Sequence, residues 1–302
     1  MGKALAAAYP AARQVFEEVV EVLGQSLSRL MFEGPENTLM LTENAQPALM
    51  AAGMAVVRAL EAEAGFRIAE AAAFVAGHSL GEYTALAAAG ALDLGTTASL
   101  LRTRGQAMQR AVPNGEGAMA AVLGLDLDRV EWIAASAADS EVCDVANDNA
   151  PGQVVLSGHA TAVDRAVAMA GNQGARAVML AVSAPFHCNL MAPAAKTMAE
   201  ALAAVEIRRP RPAIFANVTA APTRDPRVIR DLLVEQVTAR VRWRESVVAM
   251  REAGVDSLVE LGPQRVLTGL ARRIDRTLDA RAVGTPEEIG ALVDIMCRDA
   301  AA

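Results

Sequence analysis

Cysteine is scarce in this chain of 302 residues. Cys143, Cys188 and Cys297 are too few and too scattered for a disulfide framework or a Cys-x-x-Cys metal site, so no metal is expected and a reducing cytoplasm fits best. Excess positive charge is also missing. Against 35 Asp and Glu stand 28 Lys and Arg, a formal charge of −7, which argues against general attraction to nucleic acid or an anionic membrane. No apolar run has the length of a membrane span, since the longest, Ala48 to Val57, stops at Arg58, and the first residues lack the pattern of a secretory signal. Histidine is as rare as cysteine, with His78, His159 and His187 the whole supply. Any general base of imidazole type must be one of these three.

What is present is apolar residue, 53% of the chain and much of it alanine, enough for a sizeable core in one large domain or two unequal ones. The most informative stretch is Val75-Ala76-Gly77-His78-Ser79-Leu80-Gly81-Glu82-Tyr83. A short apolar run, Ala71 to Ala76, leads into Gly77-x-Ser79-x-Gly81 and then into an Ala-rich helical run, Tyr83 to Ala91. Strand, sharp turn and helix in that order raise a serine hydroxyl above a sheet edge, and small residues on either side let strand and helix backbones approach. The turn also puts Ser79 at a helix N-terminus, where free N–H groups favour developing negative charge. An ordinary turn whose serine only caps the helix has the same pattern.

Along the rest of the chain, Lys3 to Leu30 reads as helical with a break at Pro10, and Ala48 to Ala64 as a helix capped by Thr42 or Asn44, its first turn presenting Gln46. A further helix ends near Ala111 and carries Arg102 and Arg104, which lie about 200° apart on a helix and cannot face the same way. From Gly117 the grain changes to strand 118–125, helix 128–138, strands 142–146 and 153–158, helix 161–173 and strand 175–182. That βαββαβ order is the ferredoxin-like pattern. It predicts a small domain, 116–183, inserted into a large one formed by 1–115 and 184–302. The return point carries Pro185-Phe186-His187-Cys188. His78 adjoins Ser79 but neighbours on a turn point apart, and His159 falls in a solvated turn, so His187 is the better base; a buried structural histidine is the alternative.

Six ordered motifs carry a resemblance: Thr42 to Pro47 ending Ala-Gln-Pro; Ala76 to Glu82; Arg104-Gly105-x-x-Met108-Gln109 with Gly117-Ala118-Met119; Asn147 to Ser157; Pro185 to Met191; and Glu260-Leu261-Gly262-Pro263 with Val266 to Leu270. Together they resemble the malonyl-CoA:acyl carrier protein transacylase family of fatty acid and polyketide synthesis, over about Met1 to Ala291. The resemblance implies an α/β-hydrolase-like large domain with an inserted ferredoxin-like small one. It implies a ping-pong transfer of malonyl from malonyl-CoA to acyl carrier protein, with Ser79 as nucleophile and His187 as base. The backbone carbonyl of Gln236 would orient His187 and the backbone N–H of Leu80 would donate to the oxyanion. Arg104 would grip the free malonate carboxylate, with Gln46, Phe186 and His78 lining the substrate; Phe186 leaves no room for a 2-methyl branch. A solvated Arg104 and a helix-capping Gln46 are the other readings of those residues.

The implied enzyme holds no bound cofactor, malonyl-CoA being substrate, and is expected to be a monomer. Its acidic carrier calls for a basic docking face, with Arg208, Arg209 and Arg211, or Arg240, Arg242 and Arg244, or Arg272, Arg273 and Arg276 as candidates. The family begins with a strand and a Gly-Gln-Gly-Ser-Gln turn bearing a second oxyanion donor, whereas this sequence opens at Met1-Gly2-Lys3-Ala4-Leu5, so that strand and half the oxyanion hole are expected to be lacking. A serine hydrolase or thioesterase on a related scaffold, and an inactive scaffold protein, are the competing functions. Arg104 and the want of a triad acid count against the hydrolase.

Overall fold

A computed structural model describes residues 1–299. Nine strands form three sheets among the described residues: β1 (Phe74–Ala76), β6 (Ala213–Ala216) and β7 (Ala221–Thr223); β2 (Gly117–Leu123), β3 (Cys143–Ala150), β4 (Gln153–His159) and β5 (Arg176–Met179); and β8 (Ser257–Leu261) with β9 (Asp279–Val283). In the first sheet β1 runs parallel to β6, pairing Phe74 with Ala213 and Ala76 with Phe215, and β6 runs antiparallel to β7. Among the described residues β1 pairs along one edge, with β6. The second sheet is antiparallel in the order β3-β4-β2-β5, with helices Leu127–Ala138 and Ala160–Gly171 completing a βαββαβ unit over its own apolar cluster of Val122, Ile133, Leu156 and Val163.

The large core lies among helices Pro10–Leu23, Thr42–Ala64, Leu80–Ala88, Leu94–Ala111 and Ala192–Ala203. Alanine makes it possible. The Thr42–Ala64 helix is buried nearly all round, and Ala48, Ala51, Ala52, Ala55 and Ala59 keep its girth small enough for neighbours on several sides. One crossing sets the site: a side-chain carbon at Gly105 would stand 2.5 Å from Glu43 Cα, so only glycine lets the Leu94–Ala111 helix touch the Thr42–Ala64 helix there. Arg104, next to that contact, is thereby laid against Gln46.

Several local expectations need correction. The Thr42–Ala64 helix begins six residues earlier than read, with Leu41 at the cap position and Pro47 inside; Thr42, Asn44 and Gln46 are helical residues and none caps. Arg102 Nη1 donates to Asn44 Oδ1 at 2.7 Å, tying the early turn to the next helix. β1 is only three residues long, because Ile68–Ala71 is helical. β3 runs through Asn147, Asp148 and Asn149, with register breaks between Val145 and Asn147 and between Asp148 and Ala150. The side chain of Cys297 lies outside the described residues.

Candidate active site

The elbow forms where β1 meets the Leu80–Ala88 helix. Ser79 holds φ 54° and ψ −112°, a backbone region that non-glycine residues avoid and that costs about 1–3 kcal/mol. Of the two flanking glycines only the first is demanded by space. A Cβ at Gly77 would sit 2.0 Å from Gly81 O, whereas one at Gly81 would meet nothing within 4 Å. The tight approach is thus made by residue 77 against the backbone of residue 81.

His187 reaches the serine from the loop after β5. Its Nε2 is 2.8 Å from Ser79 Oγ, while Nδ1 lies 2.8 Å from Gln236 O and 3.2 Å from Ala239 O. Two carbonyl acceptors fix the tautomer: Nδ1 carries the proton and Nε2 is free to accept one. Gly117 helps to set this loop, since any side chain there would strike Pro185 Cγ at 2.3 Å. His187 itself has φ 57°, so the serine and the histidine both stand on strained backbone. Burial, then the Arg104 charge, then His78, push the imidazole down to about 3, leaving it neutral across the working pH range.

Arg104 is 1% exposed although it is charged. Its Nη1 donates to Gln46 Oε1 at 2.8 Å; Nη2 donates to Ser79 Oγ at 3.0 Å and to Gln236 Oε1 at 2.9 Å; Nε has no partner. Arg102 faces elsewhere and is partly exposed, as the helical angle requires. Gln46, which holds Arg104, lines a cavity of about 510 Å³ together with Leu80 and Phe186, and the exposed Met40, Leu41 and Val182 form its outer part. Leu80 opens its helix, where N–H groups lack intrahelical acceptors. His78 points away: its Nε2 is 2.8 Å from Asn149 Oδ1 and its ring 5.8 Å from that of Trp243. The Cys188 thiol donates to Pro185 O at 3.1 Å and burial pushes it up to about 11, so it offers no thiolate beside His187.

Three contributions escaped the sequence. The Gln236 side chain, not only its carbonyl, is engaged: Nε2 donates to Glu82 Oε2 at 2.7 Å and to Ser79 O at 3.0 Å. Glu82, 1% exposed, receives that bond and one from Asn217 N at 3.1 Å. Asn217 itself packs against the elbow. Burial raises the Glu82 carboxyl to about 7, against the opposing pull of Asn217, Gln236 and Arg104. Because the folded state holds this proton more tightly than the ordinary value of 4.5 allows, Glu82 weakens the fold progressively as pH rises from 4.5 to 7, and the effect is constant above that. Glu82→Gln should therefore gain stability on the wild type as pH increases through this window, by about 3 kcal/mol between pH 4 and pH 8. Urea unfolding at both pH values measures it, and a pH-independent difference would refute the assignment.

The basic clusters divide by position. Arg240, Arg242 and Arg244 have their charges paired with Glu131, Glu245 and Asp148. Arg208 and Arg211 bond through their main-chain N–H to Ala91 and Ala89, at the end of the Leu80–Ala88 helix remote from Ser79. Arg272 donates to Ala280 O and Arg273 to Gln153 Oε1.

A serine joined to a histidine that rests on main-chain carbonyls, with a buried arginine at the same hydroxyl, is the chemistry of a serine acyltransferase. The chain belongs to the acyl transferase domain family, which it matches over residues 1–295. Among curated relatives, the malonyl CoA-acyl carrier protein transacylase of Bacillus subtilis is 42% identical over 291 residues, covering 96% of this chain and 90% of that protein. The Escherichia coli protein of the same name is also 42% identical, covering 96% and 93%. Among solved structures, an acyl-carrier-protein-S-malonyltransferase from Bartonella henselae superposes with TM-score 0.96 at 52% identity, covering 98% of this chain and 95% of that one. A malonyl-transacylase in complex with its type II PKS acyl-carrier protein superposes at 0.94 with 41% identity, covering 98% and 94%.

Proposed function

We propose that this enzyme moves a malonyl group from the thioester of malonyl-CoA to the phosphopantetheine thiol of acyl carrier protein through an ester on Ser79. The carrying observation is that one hydroxyl, Ser79 Oγ, is met at once by a proton acceptor, His187 Nε2 at 2.8 Å, and by a buried guanidinium, Arg104 Nη2 at 3.0 Å. In the first half-reaction Ser79 Oγ bonds to the thioester carbon while its proton passes to His187 Nε2. The Leu80 N–H meets the developing oxyanion. The carbon–sulfur bond then breaks and the proton goes to the departing thiolate of coenzyme A. In the second half, His187 takes the proton of the carrier's thiol, sulfur attacks the ester, and the proton returns to Ser79 Oγ.

Arg104 supplies the selection: a planar cation beside the serine hydroxyl, with its Nε unpartnered, meets a malonate carboxylate and offers nothing to an uncharged acyl group. Phe186, which lines the cavity with Gln46, favours an unbranched malonyl. The fold that carries this is read as an α/β-hydrolase-like large domain, 1–115 with 184–302, bearing a ferredoxin-like small domain, 116–183. Incubation with malonyl-CoA alone should leave one malonyl group on Ser79, found by mass spectrometry, and acyl carrier protein should then discharge it as malonyl-carrier. Release to water as the only productive outcome would make the protein a hydrolase, and no adduct at all would make it a scaffold.

A further inference from the structure

Asn217 belongs to none of the motifs that carry the reaction. It follows β6 directly, and since β6 runs parallel to β1 with Ala76 opposite Phe215, residue 217 comes level with the elbow. Its side chain, 1% exposed, spans the turn: Oδ1 accepts from Ser79 N at 2.7 Å and Nδ2 donates to Gly77 O at 2.7 Å. Its own backbone is pinned in turn, N–H to Glu82 Oε2 at 3.1 Å and carbonyl to Arg242 N at 3.0 Å.

The elbow cannot satisfy these groups by itself. The turn's own bonds run from Gly81 N to His78 O and from Glu82 N to Ser79 O, which leaves Ser79 N and Gly77 O for an outside partner. An acceptor and a donor on one short planar group are required, side by side. A carboxylate lacks the donor, an aliphatic side chain lacks both, and glutamine places them one methylene too far out.

We infer that Asn217 is the positioning residue of the nucleophile, a clasp across the elbow that holds Ser79 in its strained backbone conformation and so aims Oγ at His187. The inference rests on the reading of Ser79 as the acylated residue. The clasp acts on the chemical step and not on binding, because Asn217 is not among the residues that line the cavity. Displacement of a reacting atom by about 1 Å costs about a hundredfold in rate.

The test is single-turnover acylation of Ser79 by malonyl-CoA, quenched and read by mass spectrometry, for wild type, Asn217→Ala and Asn217→Asp across pH. Malonyl-CoA affinity is measured separately by calorimetry on each variant combined with Ser79→Ala. Asn217→Ala should acylate about a hundredfold more slowly with affinity within threefold of the reference. Asn217→Asp should be slow at pH 8 and recover relative to wild type as pH falls, because a protonated carboxyl again offers one acceptor to Ser79 N and one donor to Gly77 O. A structural role alone would not produce that pH-dependent rescue. Acylation of Asn217→Ala at the wild-type rate, or an Asn217→Asp profile parallel to that of wild type, overturns the clasp; if Asn217→Ala does not fold, the Asp profile decides. Absence of any adduct on wild-type Ser79 would overturn the functional reading instead.

Discussion

Ser79→Ala and His187→Ala should each lower malonyl transfer by about four orders of magnitude or more, and the double variant should lose little beyond either single one. The two side chains act as one unit, joined at 2.8 Å, and neither has a substitute nearby. Without Oγ there is no ester to form. Without His187 the serine proton has no acceptor: Arg104 can only donate, and His78 is turned to Asn149. Single-turnover rates of serine acylation for the four proteins provide the test. Losses that multiply in the double variant would mean that the histidine acts elsewhere than on the serine proton.

The second large effect belongs to Arg104. Arg104→Met should reduce kcat/KM for malonyl-CoA by about a thousandfold and leave acetyl-CoA nearly unaffected or improved. Among the described residues no carboxylate bonds to the buried guanidinium; Glu82 is linked to it through the Gln236 amide, which accepts from Arg104 at 2.9 Å and donates to Glu82 at 2.7 Å. A cation so compensated is poised for an acidic cargo, and its Nε has no bond to surrender on binding. Removing it takes the partner from a malonate carboxylate already stripped of water. Arg104→Lys should recover only part of the loss, keeping the charge but not the fork. Steady-state assays with the two thioesters in parallel separate the readings. An equal fall for malonyl and acetyl would make Arg104 a brace for Ser79 and not a selector of cargo.

Much of this could be read from residue order. The strand, Gly77-x-Ser79 turn and Ala-rich helix announce themselves locally, because sharp turns demand particular residues at fixed offsets. The opposition of Arg102 and Arg104 follows from helix geometry alone. The parts that stayed hidden depend on chain segments far apart in sequence. Asn217 follows four apolar residues with no offset tying it to Ser79, and only the parallel pairing of β1 with β6 brings them level. Glu82 sits in the first turn of a helix, a position where an acidic residue normally needs no explanation beyond the dipole, and nothing local reveals that it is buried. From the sequence this helix is expected to start at Ala48, after Pro47, whereas the helix contains Pro47 and tolerates it because tertiary packing around it offsets a lost backbone bond. The polar Asn147-Asp148-Asn149 run did not read as strand because its pairing is interrupted twice.

That interrupted strand bears on how substrates arrive. Where β3 loses register, Asp148 N donates to Val241 O and Val241 N to Ala146 O, Asp148 accepts two bonds from Arg244 Nε, and Asn149 holds His78 beside the nucleophile. β3 is thereby stitched to Val241 and Arg244 and, through Asn149 and His78, to the elbow a residue from Ser79, so parting these segments would tear the elbow's own supports. The malonyl donor and the accepting thiol are thus expected to arrive through a fixed doorway at Met40, Leu41 and Val182, with turnover paced by threading a flexible arm and not by the opening of a lid.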